Sequence, residues 1–156
     1  MKNSFNFLCE RMKRLIGLAF MVLLSAPTMF SSSLTTISVN ELPQVAQDFI
    51  VKYMADKRIT IAKMNEGFFE DDYNVIFTDG TKVEFDGKGH WTLVKCKDVP
   101  LSIVPRPIIN YIIRNIDDKD FFIVKLERDA SGFHVHLSNG QELQFDKGFR
   151  IIIIND

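Results

Sequence analysis

The sequence predicts an α+β protein made by tandem duplication of a unit of one helix and four antiparallel strands, with the helices packed on one sheet face. Three observations predict it. The stretch "YNVIFTDGTKVEFD" (Tyr73 to Asp86) returns as "FHVHLSNGQELQFD" (Phe133 to Asp146). Both copies alternate apolar and polar residues, the period of half-buried strands. Both are preceded by apolar residues at helical spacing, in segments Leu42 to Met64 and Val104 to Leu126 that align without a gap. Self-similarity at a fixed spacing marks a duplicated supersecondary unit.

The chain opens differently. Lys2, Arg11, Lys13 and Arg14 precede "LIGLAFMVLL" (Leu15 to Leu24), and the small-residue run "SAPTMFSSS" follows. That order describes a secretory signal peptide over residues 1–33. A membrane anchor needs roughly twenty apolar residues, and Ser25, Pro27 and Thr28 interrupt first. We therefore expect no stable membrane span once the signal is removed, and a periplasmic or secreted protein. Residues 34–98 then form the first repeat and 99–156 the second, in one domain overall.

Within each repeat the elements follow in order. Pro43 and Pro105 suit a first helical turn, where a missing N–H costs nothing. Val45, Ala46, Phe49, Ile50 and Tyr53 recur at helical spacing, as do Ile108, Ile109, Ile112, Ile113 and Ile116. Asp56 and Asp117–Asp118 end these helices. "RITIAKM" and "FFIVKL" are β-branched and aromatic, hence first strands. In the hairpins, matching apolar faces sets Val75 opposite Val83 and Tyr73 opposite Phe85, and likewise Val135 opposite Leu143 and Phe133 opposite Phe145. Each hairpin then closes on a three-residue loop with Gly80 or Gly140 at the left-handed position. "HWTLVK" and "FRIIII" supply the fourth strands, with Phe149 in the place of Trp91. A lone unit of this size buries little apolar surface, so the two share a sheet or pack their helices together.

Bulk composition excludes several function classes. The 156 residues carry a net charge of −1 with both signs interspersed, so there is no electrostatic footprint for nucleic acid. Fourteen Phe supply a core. Beyond the leader Cys96 stands alone, which rules out an internal disulfide framework. It has no neighbouring His in sequence, no Ser lies in a nucleophile elbow, and no glycine loop is built to cradle phosphate. We expect no enzyme and no cofactor.

The pattern "LP..A..FI..Y", "Y.V.F.DG..VEFD..G.W", "VP..I..YI", "G..V.LSNG.EL.FD" resembles the PepSY-like, beta-lactamase-inhibitor-like family, over about Leu42 to Ile154. The resemblance implies a small exported bacterial protein of tandem α-plus-four-strand units and brings no catalytic residues. It also implies a way of gripping a partner, through an open sheet face and loops.

Two readings of the candidate site follow. A binding module for a protein or peptide would use the hairpin tips at Asp79 and Asn139, together with the loop aromatics Phe68 and Phe69. Exposed aromatics of that kind anchor interfaces, although the same pair would also serve as a cap on the end of the sheet. Ile76, Ile152 and Ile154 would lie on the face opposite the core if alternation holds. In the other reading, His134, His136 and Glu142 share a strand face and hold a divalent ion such as Zn²⁺. The bland counterpart is a pair of imidazoles among polar neighbours on a half-solvated strand.

Overall fold

Apart from two helical segments, alternation governs the chain after Leu42, and those stretches fold accordingly as sheet. The computed structural model describes residues 33–67, 71–116 and 121–155. The strands are β1 (Ser33–Ile37), β2 (Ile59–Glu66), β3 (Asp72–Phe77), β4 (Lys82–Phe85), β5 (Trp91–Lys95), β6 (Ile123–Arg128), β7 (Gly132–Leu137), β8 (Glu142–Asp146) and β9 (Ile151–Asn155). They form a single nine-stranded sheet in chain order, each antiparallel to the next. The ten-residue helices α1 (Gln44–Tyr53) and α2 (Arg106–Asn115) accompany it.

This overturns the expected tandem of two helix-plus-four-strand units. β5 pairs directly with β6 through Leu93↔Glu127, Val94↔Leu126 and Lys95↔Lys125, so the ladder runs unbroken across the expected junction. β1, ahead of the first helix, adds a ninth strand beside β2. The physical reason is edge satisfaction. Two separate small sheets would expose four rows of unpaired backbone groups, and one continuous sheet exposes two. The leader expected over residues 1–33 lies outside the described residues apart from Ser33.

One row of apolar residues crosses the whole sheet. Ile37, Ala62, Val75, Val83, Val94, Leu126, Val135, Leu143 and Ile154 are successive cross-strand partners. The seven from Ala62 to Leu143 are buried. Phe85 and Phe145 extend the same face, and each receives one helix. The Phe49 ring of α1 stands edge-on to Phe85 at 5.6 Å and 82°. The Tyr111 ring of α2 meets Phe145 at 5.3 Å and 85°. Both helices therefore lie on one face. Their buried stripes are narrower than helical spacing suggested: Val45 and Ile113 are exposed, while Ala46, Phe49, Ile50, Ile108 and Ile112 are buried. Pro43 and Pro105 stand at the N-caps, one residue ahead of the first turn.

The hairpins have the expected registers, Tyr73↔Phe85 with Val75↔Val83 and Phe133↔Phe145 with Val135↔Leu143. Gly80 and Gly140 close them at φ 83° and 96°. The β4–β5 and β8–β9 turns are also built alike. Asp86 Oδ1 accepts from the Lys88 and His90 amides, and Asp146 Oδ1 from the Gly148 and Arg150 amides. Phe149 therefore replaces Gly89, not Trp91, and adopts φ 61° where Gly89 has φ 84°. The Phe149 ring stacks on Phe133 at 5.3 Å, which offsets part of the left-handed strain. Gly89 has no such freedom: a Cβ there would lie 2.7 Å from Pro43 Cβ and 2.9 Å from the Ala46 nitrogen.

Candidate functional site

Because successive side chains alternate between faces, the sheet surface away from the helices can be read from the register. A first row on it runs Thr36, Lys63, Asn74, Glu84, Leu93, Glu127, His134, Gln144, Ile153. A second runs Ile61, Ile76, Lys82, Lys95, Lys125, His136, Glu142, Asn155. Among the described residues no helix covers these rows. Ile76 belongs to this face as expected, opposite Lys82. Ile154 does not, since it pairs with Leu143 in the core row. Ile153 takes the open-face position opposite Gln144, and Ile152 falls where the register shifts.

His134 and His136 are neighbours on this face but turn to different partners. His136 Nδ1 lies 2.9 Å from Glu142 Oε1. His134 Nε2 lies 3.3 Å from Ser131 Oγ and 3.4 Å from Asp129 Oδ2, in the β6–β7 turn. The two imidazoles and Glu142 thus make separate polar pairs. Among the described residues no group of three or more His, Cys, Asp or Glu is arranged to hold a metal ion.

The hairpin-tip residues serve their own turns. Asn139 Oδ1 accepts from the Gln141 amide at 3.1 Å. Asp79 Oδ1 accepts from the Thr81 amide at 2.9 Å, and Oδ2 from Lys57 Nζ at 2.5 Å. The hydrogen bond from Lys57, followed by those from Thr81, lowers the Asp79 pKa to about 2. A carboxylate depressed in the folded state stabilises above its unfolded pKa of about 3.9, and that contribution is lost as pH falls toward the folded value. Asp79→Asn should therefore flatten the acid limb of stability between about pH 4 and about pH 2. Urea midpoints across that range for both proteins check it, and identical slopes would show that the Lys57 pair contributes nothing. Phe68 and Phe69 lie outside the described residues.

Sequence reasoning missed an apolar groove of about 450 Å³ between α2, the segment after β5 and the start of β6. Val99, Ile109, Ile112 and Ile123 line it, with Asp98 at its edge. Leu101 and Ile113 are 60% and 70% exposed there. The signal was present as Ile113 within an over-wide helical stripe. Cys96, nearby in sequence, is half-buried, and burial pushes its thiol pKa up, the opposite of what activates a nucleophile.

Known proteins share this architecture. The family model described as "Putative beta-lactamase-inhibitor-like, PepSY-like" matches residues 71–153. No curated protein matches the chain significantly. A solved structure from Bacteroides thetaiotaomicron, described as a "putative calcium-regulated periplasmic protein", is 42% identical. The match covers 79% of this chain and 97% of that one, with a TM-score of 0.75. A structure from Bacteroides vulgatus, described as a "putative periplasmic protein", is 44% identical over 80% of this chain and 98% of its own, with a TM-score of 0.76. A second from Bacteroides vulgatus, described as of unknown function, is 30% identical over 81% and 100%, with a TM-score of 0.72. The expected periplasmic or secreted localisation agrees with these descriptions. With the matched region spanning β3 to β9 and these relatives aligned over nearly their whole length, the chain belongs to the PepSY-like, beta-lactamase-inhibitor-like family.

Proposed function

We propose that this is a non-enzymatic binding module of the periplasm that holds a protein or peptide partner against the helix-free face of its sheet. One observation carries the reading. Both helices pack on the same face, through Phe49 on Phe85 and Tyr111 on Phe145. The opposite face presents two cross-strand rows of mixed polar and apolar side chains on a rigid ladder. Such a surface offers side chains to a partner without loss to the core, and interfaces mix charged, polar and apolar groups in this way. The family's inhibitor-like description is consistent with a protein partner. The metal reading has less support, because His134 and His136 engage different partners.

Adding bulk without charge tests the reading. Asn74→Trp and Gln144→Trp fall on the open face; Val51→Asp falls on exposed α1, and Ile113→Asp in the apolar groove. Each tagged mature protein is used for capture from periplasmic extract, with retained proteins identified by mass spectrometry and folding checked by circular dichroism. A protein retained by the wild type and the two Asp variants, but lost from both Trp variants, is the expected result. Loss confined to Ile113→Asp would move the contact to the groove and reject the open-face reading, as would retention by all four variants.

A further inference from the structure

We infer that the open face recognises an acidic segment of its partner, with Lys95 as the central contact. The inference rests on the binding-module reading and adds the partner's chemistry to it. Three lysines stand directly opposite one another on adjacent strands, as Lys82↔Lys95 and Lys95↔Lys125, and His136 continues the row beyond Lys125. Strands lie about 4.8 Å apart, so the lysine row spans roughly 10 Å. Like charges directly opposite one another destabilise a sheet, and nothing in this fold requires a lysine at all three positions.

The neighbouring residues single out Lys95. On β4, Lys82 is ion-paired with Glu84 two residues on. On β6, Lys125 is paired with Glu127 at 2.6 Å. Glu84 and Glu127 both face β5, and there the position between them is held by Leu93. Where β4 and β6 read Lys-x-Glu, β5 reads Leu-x-Lys. Lys95 is exposed and has no carboxylate partner among the described residues. A cation flanked by two further ammonium groups, with an apolar side chain beside it, fits a carboxylate next to an apolar residue.

A densely charged polyanion fits less well. Its closely spaced charges would fall on Glu84 and Glu127 as well as on the lysines, and the chain's net charge is −1. Spaced carboxylates on a peptide meet the lysine row and avoid the glutamate row.

Fluorescence anisotropy with a labelled peptide of alternating glutamate and alanine, and with its glutamine counterpart, tests this on the mature chain. The glutamate peptide should bind, and binding should weaken as salt is raised. Lys95→Glu should lower affinity by about tenfold. Leu93→Glu, which keeps every lysine but gives Lys95 the same-strand carboxylate its neighbours have, should weaken binding in the same direction. Lys95→Arg should bind like the wild type, and so should Lys52→Glu, which makes the same charge change on α1. Equal binding of the glutamine peptide, or no effect of Lys95→Glu, overturns the inference. Displacement of the peptide by double-stranded DNA at lower concentration than by free glutamate peptide overturns it too, since that would mark a general polyanion surface. If Asn74→Trp and Gln144→Trp abolish capture of the native partner while Lys95→Glu leaves it unchanged, the acidic chemistry fails and the open-face reading survives.

Discussion

Replacing Phe85 with Ala is expected to destabilise the protein by about 3–5 kcal/mol, the range for deleting a fully buried aromatic ring. Phe85 is 0% exposed. It sits between Tyr73 on β3 and Trp91 on β5, and it is the ring that Phe49 of α1 meets edge-on. Phe49 in turn lies 4.8 Å from Tyr53 and 6.4 Å from Trp91. Removing Phe85 therefore opens a cavity under α1 and ends the aromatic contact that keys the helix to the sheet, itself worth about 0.5–1.5 kcal/mol. Strand pairing holds the neighbouring backbone in place, so the void cannot collapse fully and the cost stays near the upper part of the range. A domain of this size unfolds with a total of about 5–15 kcal/mol, so the variant should melt on the order of 15 °C lower. Thermal and urea melts followed by circular dichroism measure it. A loss below about 1 kcal/mol would mean that α1 is not packed on Phe85 as described.

Much of the sheet is legible in the amino-acid sequence, and the reason is local. Within a hairpin, alternation and a three-residue loop leave one register that matches apolar to apolar, and Val75↔Val83 and Val135↔Leu143 follow from that alone. What alternation does not carry is the partner of an outer strand. The β5–β6 pairing spans the α2 crossover, and no property of "HWTLVK" or "FFIVKL" taken singly says that they meet. β1 is illegible for a different reason. Its apolar residues, Leu34 and Ile37, are three apart, so they fall on opposite faces of a strand and show no period of two. The β8–β9 turn departs from expectation because its Asp-anchored hydrogen bonds, not its glycines, fix its length, and Phe149 occupies a left-handed position that composition would assign to Gly.

The site is less legible than the fold. His134, His136 and Glu142 do share a face, as the hairpin register requires, but the pairing of His134 with Asp129 and Ser131 depends on a turn geometry that strand periodicity leaves open. Asp79 and Asn139 do stand at the hairpin tips, yet an Asx side chain at a turn bonds first to its own backbone, and both do so here. The Lys82–Lys95–Lys125 row is invisible in sequence. It arises only once β5 is set against β6, a long-range pairing that hairpin periodicity does not carry.

Gly132→Ala should be more disruptive than any other single methyl addition at a described glycine, with a cost on the order of 3 kcal/mol or more. Two causes add at this position. Gly132 begins β7 at φ 146°, a region L side chains rarely adopt. A Cβ there would also lie 2.0 Å from the Phe145 carbonyl oxygen and 2.8 Å from the Asp146 carbonyl carbon. Those atoms are backbone of the paired strand, Gly132↔Asp146, so relief requires β7 and β8 to separate at their shared end. The β6–β7 turn would shift with them, because Asp129 Oδ1 accepts from the Gly132 amide at 3.2 Å and from the Ser131 amide at 2.6 Å. Gly80→Ala separates the two causes. Gly80 has φ 83° with nothing within 4 Å of an added Cβ, so it carries only the conformational cost, about 1–2 kcal/mol. Urea melts of the two variants beside the wild type should rank Gly132→Ala as the more damaging, to the point of poor soluble yield. If both lose the same stability, the close approach of Phe145 to Gly132 is not a constraint on the fold, and the backbone of β7 must start differently from what the Gly132↔Asp146 pairing requires.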